Sequence, residues 1–249
     1  MKFKRLLIFG LLTMILAPFM FAEDSKFLEA NAKYQAGDFK TAAAEYESLL
    51  RSGQRTAAVY FNLGNAEFRL KRKGRALLAY ERALLAAPRD KDIRWNIEVL
   101  KSVLPDRVDS GDENIVSAWI KSLIDFASID EWSWALGVLL GILVAAALAI
   151  FTFQKARSFF SAIQFLTMVL LALLAVILIL KWWDVKDKRV VILDKEVYAR
   201  YGPSDKETTA FLLHEGAEAK SADESRDWTY VVLKNKNSGW IKKESCEVI

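Results

Sequence analysis

The groups able to do covalent chemistry are few in this sequence. There is one histidine, His214, and one cysteine, Cys246. A side-chain nucleophile needs a base in hydrogen-bond reach and a third group to orient it, and nothing around either residue supplies such a set. Nor do the two provide metal ligands at a workable spacing. No glycine-rich phosphate loop follows a strand, and no carboxylate pair sits in a recognisable cleft sequence. The inventory points away from an enzyme and implies no cofactor. What recurs instead are groups suited to recognition. Phe27, Phe61 and Trp95 are spaced by 34 residues, and so are Asn31 and Asn65. A carboxamide can hold the backbone of an extended peptide, and a ring one turn away can take its side chain. These five are candidate protein-binding residues. The same rings could instead do no more than pack between helices.

The elements that would position them are helices of a repeat. Shifting the chain against itself by 34 residues also places Tyr34 on Phe68, Ala42 on Ala76, Tyr46 on Tyr80 and Asn62 on Asn96. The second copy reads Tyr60, Leu63, Gly64, Phe68, Ala76, Tyr80, Ala83 and Pro88, which resembles the tetratricopeptide repeat (TPR). Small residues there sit where two helices approach closely, aromatics fill the space between repeats, and Pro88 ends the second helix for want of an amide hydrogen. In the first copy Ala30 replaces the glycine and Gly37-Asp38-Phe39 makes the turn. A single third helix, about 92–104 and stopped by Pro105, resembles the cap that covers the end of a solenoid. The resemblance implies a concave face lined by Phe27, Asn31, Phe61, Asn65 and Trp95. The basic cluster Arg69, Lys71, Arg72, Lys73 and Arg75 reads as a solvated turn.

The remaining apolar residues fall in three runs. Met1–Arg5 carries three basic residues, Leu6–Phe21 is apolar, and Ala22 precedes an acidic pair, the layout of an export signal over 1–22. Runs 132–153 and 159–181 are each long enough to cross a hydrocarbon core as a helix. Trp132, Trp134, Trp182 and Trp183 mark one shared interface, and the loop 154–158 holds Lys155 and Arg157, which favours the cytoplasm. With the export signal, this predicts that the repeat module, 23–105, and the C-terminal segment both face the non-cytoplasmic side. No ionisable residue lies within 132–153 or before Lys181 at the end of the second run, so the two read as an anchor rather than a transport path. Within the linker 106–131, Ile115, Trp119, Leu123 and Phe126 fall at helical spacing and predict an amphipathic helix, lying on the membrane surface or, as the alternative, forming a lid on the repeat module, with a flexible joint over 105–114. The net charge of +4 is distributed and excludes a nucleic-acid surface.

From Arg189 the pattern changes to short β-type runs over 190–193, 196–200, 209–213, 217–220, 228–233 and 239–242, separated by Gly202-Pro203-Ser204, Glu215-Gly216 and 235–239. Together with Asp227-Trp228-Thr229-Tyr230-Val231 and Ser238-Gly239-Trp240-Ile241, these resemble the bacterial SH3-like (SH3b) domain over 189–249. The resemblance implies a small all-β barrel whose binding surface includes Tyr198, Tyr201, Trp228 and Trp240, with Trp240 an equal candidate for the core.

The expected fold is thus a multi-domain membrane protein: an all-α TPR solenoid, a two-helix transmembrane hairpin and an SH3-like barrel. This order resembles the TPR-bearing, BatE-like family of the bacterial aerotolerance (Bat) operon. That resemblance implies an inner-membrane scaffold facing the periplasm, with von Willebrand A-domain membrane proteins as partners, in a system with a MoxR-type ATPase linked to oxidative-stress tolerance. The alternative is a sensor or tether that grips peptidoglycan through the SH3b domain. In either case the lipid bilayer is a partner.

Overall fold

A computed structural model describes residues 25–106, 119, 122–186 and 188–249. The expected export signal and most of the linker, including the first part of its interfacial helix, lie outside the described residues.

Five helices open the described chain: α1 (Ser25–Gln35), α2 (Phe39–Arg51), α3 (Ala57–Arg69), α4 (Lys73–Ala86) and α5 (Lys91–Ser102). Their starts are set by side chains that satisfy the first free amides. Asp38 accepts from the amide of Thr41, Thr56 from that of Val59, and Asp90 from those of Asp92 and Ile93. The turn after α1 uses Gly37 at φ +82°; one repeat later the same position is Lys71, at φ +63°. Within the second repeat Gly64 lies under Tyr80, where a Cβ would come within 2.5 Å of the ring. The first core joins Ala30, Ala42, Tyr46, Leu49, Val59, Leu63, Ala66 and Ala79 across α1 to α4.

Two long apolar helices follow, α6 (Ile129–Thr152) and α7 (Arg157–Lys186), joined through a short 3-10 turn, Gln154–Ala156. Ser128 and Glu131 form a reciprocal capping box at the start of α6. At 24 and 30 residues the helices measure about 36 and about 45 Å, against a hydrocarbon core of roughly 30 Å. By length and composition both can cross a membrane. Their outward apolar side chains, such as Leu148, Phe151 and Phe165, are exposed, as an anchor in lipid would have them.

The C-terminal strands are β1 (Arg189–Ile192), β2 (Glu196–Arg200), β3 (Thr209–His214), β4 (Glu218–Ser225), β5 (Trp228–Val232), β6 (Ser238–Lys242) and β7 (Cys246–Val248). They form one antiparallel sheet in the order β3-β2-β6-β5-β4-β1-β7. Its core is Val190, Ile192, Val197, Ala199, Leu213, Ala217, Ala219, Val231, Leu233 and Ile241. The alternation of inward and outward residues along β2, β5 and β6 is the two-residue period of a pleated strand. The short β7 was not among the runs expected from the sequence.

The helical and sheet segments share a third core. Val191 is buried with Leu77, Leu78, Tyr80, Ile93, Ile97, Leu100 and Leu104, and Leu193 and Ile249 pack against them. The approach is close: a Cβ at Gly74 would meet the carbonyl oxygen of Ile192 at 2.4 Å, and one at Gly216 would meet Leu104 at 2.6 Å. Glu215 accepts from the Gly74 amide at 2.9 Å. Asp106, read from sequence as part of a flexible joint, accepts from the backbone amide of His214 at 2.6 Å and contacts its Nδ1 at 2.9 Å. Lys101 bridges Glu81 at 2.7 Å and Glu218 at 2.9 Å. The sheet therefore seats itself on the last two repeat helices.

Candidate functional site: the repeat face and the outer sheet face

The five candidate residues of the repeat module occupy equivalent positions on α1, α3 and α5, the first helix of each unit. In the first unit, Asn31 Oδ1 accepts from the Tyr46 hydroxyl at 2.7 Å and from Asn62 Nδ2 at 2.9 Å. In the second, Asn65 Oδ1 accepts from the Tyr80 hydroxyl at 2.7 Å and from Asn96 Nδ2 at 3.2 Å. Each carboxamide thus ties the two helices of its own unit to the first helix of the next. Burial pushes the Tyr46 phenol up to about 12 and raises that of Tyr80 as well, so both hydroxyls are neutral donors. Phe27 lies against Tyr46 with ring centroids 6.2 Å apart, and Phe61 against Tyr80 at 5.8 Å. Four of the five residues therefore contribute to packing within the solenoid, which leaves their outer edges for any ligand. Trp95 differs: it is 65% exposed. The sequence comparison had already aligned Asn62 with Asn96 and Tyr46 with Tyr80, so the ladder's members were visible as a pattern before its bonds were.

The basic cluster between α3 and α4 is engaged with its surroundings. Arg72 pairs with the buried Glu67 at 3.3 Å, Arg75 with Glu47 at 3.7 Å, and the Arg69 guanidinium lies 4.4 Å from the centre of the Phe39 ring. Burial raises the Glu67 carboxyl against the opposing effect of Arg72.

On the sheet, the register places Trp240 opposite both Arg200 and Tyr230, Tyr198 opposite Leu212, and Trp228 opposite Lys242. Val197, Ala199, Val231 and Ile241 fill the inner face, so these partners share the outer one. Tyr198 is exposed, and Trp228 and Trp240 are half-buried. Trp240 stands against Tyr230 at 5.2 Å, outside the core, and the Lys242 ammonium lies 5.9 Å from the Trp228 ring. Tyr201, past the end of β2, is exposed. Cys246 is half-buried, and burial pushes its thiol up to about 11, which suppresses the reactive thiolate at neutral pH. Among the described residues, no group of histidine, cysteine and carboxylate side chains could hold a metal ion.

Where body and hairpin meet, Arg89 pairs with Glu131 and lies 5.2 Å from the Phe126 ring. The Lys181 ammonium, buried near the end of α7, donates to the carbonyls of Ile124 at 3.0 Å and Ala127 at 2.7 Å. Sequence reasoning missed both contacts.

These features define a helical-repeat protein with two apolar helices able to span a membrane and a C-terminal antiparallel sheet. Residues 27–92 match the model of the tetratricopeptide repeat family. Repeats of this kind imply a protein–protein interaction scaffold for the helical region. No curated protein matches the chain.

Proposed function

We propose that this protein is a membrane-anchored scaffold whose repeat module and C-terminal domain act together outside the cytoplasm. The observation that carries the reading is the shared core of Val191 with Leu77, Ile97 and Leu100. Its members come from segments before and after the hairpin, so an even number of crossings lets them meet. The hairpin is the anchor, the export signal and the Lys155/Arg157 loop orient it, and the interfacial helix lies along the lipid surface. The C-terminal sheet acts as an SH3b-type domain. In this account the assembly is of the Bat/MoxR type in the bacterial inner membrane, contributes to oxidative-stress tolerance, and binds von Willebrand A-domain membrane proteins from the periplasmic side. The test is cross-linking in native membranes followed by detergent purification of the full chain and of a chain lacking 25–106. Recovery of A-domain proteins with the first and not the second is expected. Their absence from both, or equal recovery, overturns the reading.

A second reading is favoured by the outer sheet face, where Tyr198, Tyr201, Trp228 and Trp240 offer flat rings suited to a polymer of the cell wall. The chain would then be a peptidoglycan sensor or tether. Co-sedimentation of the detergent-solubilised full chain with purified peptidoglycan tests this. Retention that falls at least tenfold in Tyr198→Ala/Trp240→Ala supports the tether, and no retention removes it.

A further inference from the structure

The repeat does not end on a complete unit, and the missing half leaves a surface of defined shape. In the second unit, α4 covers a strip of α3 formed by Phe61, Gly64 and Asn65: Tyr80 stacks on Phe61, lies on Gly64 and donates to Asn65. Adding 34 to each number gives Trp95, Glu98 and Val99 on α5. All three are exposed, and Val103, one turn further on, is exposed too. Trp95, Val99 and Val103 recur at four-residue intervals and so form one apolar stripe.

The sheet does not cover this stripe. The residues of this segment that join the core shared by α4 and Val191 are Ile93, Ile97, Leu100 and Leu104, about 130° further round at 100° per residue. Nor does the sequence that follows repeat the composition of α4. Asp106 is held on the sheet by His214. At the positions equivalent to Ala76, Leu77, Tyr80 and Ala83, the sequence has Ser110, Gly111, Asn114 and Ser117, which offer no ring and little apolar surface.

We propose that the Trp95–Val99–Val103 stripe accepts an amphipathic helix from a partner protein, which completes the third unit in trans. The stripe continues an existing interface, because Asn96 beside it is already bonded to Asn65 of the preceding unit. It also specifies its ligand. In the second unit the tyrosine ring fits only because residue 64 is glycine; in the third unit Glu98 stands there. The incoming helix therefore carries a basic side chain opposite Glu98 where the internal helix carries tyrosine, with apolar residues flanking it for Trp95 and Val99. This deepens the scaffold reading and rests on it.

The probe is a labelled peptide with the sequence of α4, Lys73–Ala86, carrying Tyr80→Lys. Binding to the full chain in lipid nanodiscs is read by fluorescence anisotropy, with empty nanodiscs subtracted. The substituted peptide is expected to bind at least tenfold more tightly than the unaltered peptide, which keeps Tyr80. Val99→Asp in the full chain, at an exposed position, should weaken it at least tenfold with an unchanged melting temperature. Glu98→Gly should reverse the preference between the two peptides. The proposal is overturned if neither peptide binds above empty nanodiscs, or if Val99→Asp leaves binding unchanged. It is also overturned if a photo-cross-linker at position 99, in native membranes, labels only lipid or a second copy of the chain. Loss of A-domain partners on deleting 25–106, with no effect of Val99→Asp on the peptide, would sink this inference and spare the scaffold.

Discussion

The two junctions of the molecule are built from different materials. Where the solenoid meets the sheet, Val191, Leu77, Ile97 and Leu100 are buried together, and two glycines let backbone and side chain approach closely. Where the solenoid meets the hairpin, Arg89 pairs with Glu131 and lies over Phe126, while Lys181 of α7 holds two carbonyls of the segment leading into α6. The first junction removes apolar area from water, with the Lys101–Glu218 and Arg82–Glu247 pairs beside it. The second depends on charges at a boundary, where exposed pairs contribute little and screening matters. The contrast teaches that the segments on either side of the two apolar helices form one body around a shared apolar core, whereas the described ties between that body and those helices run through Arg89.

The largest effect should come from the first junction. Leu100→Ala, at a site 1% exposed, should cost about 2–5 kcal/mol, and Leu148→Ala on the outer face of α6 should change stability by less than about 0.5 kcal/mol. Thermal unfolding of the detergent-solubilised chain measures both. Equal costs would erase the distinction between body and anchor.

The asparagine ladder comes next. Asn65→Ala removes the acceptor of Tyr80 and Asn96, leaving a buried hydroxyl unpaired at a cost of about 1–3 kcal/mol. The paired change Asn65→Ala/Tyr80→Phe should cost less than the sum of the two single changes. Full additivity would show that the ladder does not act as a unit.

The ion bridge across the junction has a defined pH sense. Burial tends to lower the Lys101 ammonium, but Glu81 and Glu218 outweigh it and hold its pKa above the ordinary 10.5. A folded pKa above the unfolded one gives stabilisation that is complete below the unfolded value and lost as pH rises through the folded one. The wild type should therefore lose stability above about pH 10.5 more steeply than Lys101→Met. Parallel alkaline melting curves would remove the bridge from the account. Smaller still, Arg89→Ala should change the melting free energy by less than about 1 kcal/mol and the change should vanish in high salt. Last, Lys71→Gly should stabilise by up to about 1 kcal/mol, because it relieves a left-handed backbone that Gly37 adopts at the equivalent place.

What could be read from the sequence was what repeats or alternates locally. The 34-residue period exposed the helical units, and even the ladder's members, because each unit solves the same packing problem. Strand runs such as 196–200 agree with β2 because one face is buried and the other is not. Length and absence of charge marked the two apolar helices. The body itself was not legible. Gly74 and Glu215, or Arg82 and Glu247, meet across more than half of the chain, and no periodicity announces such a pairing. Lys101, Glu81 and Glu218 read as ordinary surface charges until the fold brings them together. The half-covered α5 was equally hidden, because a cap helix and an open acceptor face have the same sequence pattern until the sheet is seen to take only one side.

The central claim is that the segments flanking the hairpin form a single body on one side of the membrane. It is tested most directly by cysteine cross-linking in intact membranes, with Arg82→Cys and Glu247→Cys introduced where the two side chains meet at 2.8 Å and Cys246 replaced by serine. A short bis-maleimide should join the pair within one chain, and should fail to do so when Gly74→Val forces α4 and β1 apart. An absence of cross-linking in the otherwise unaltered chain, with both cysteines reactive to a small permeant maleimide, would contradict it.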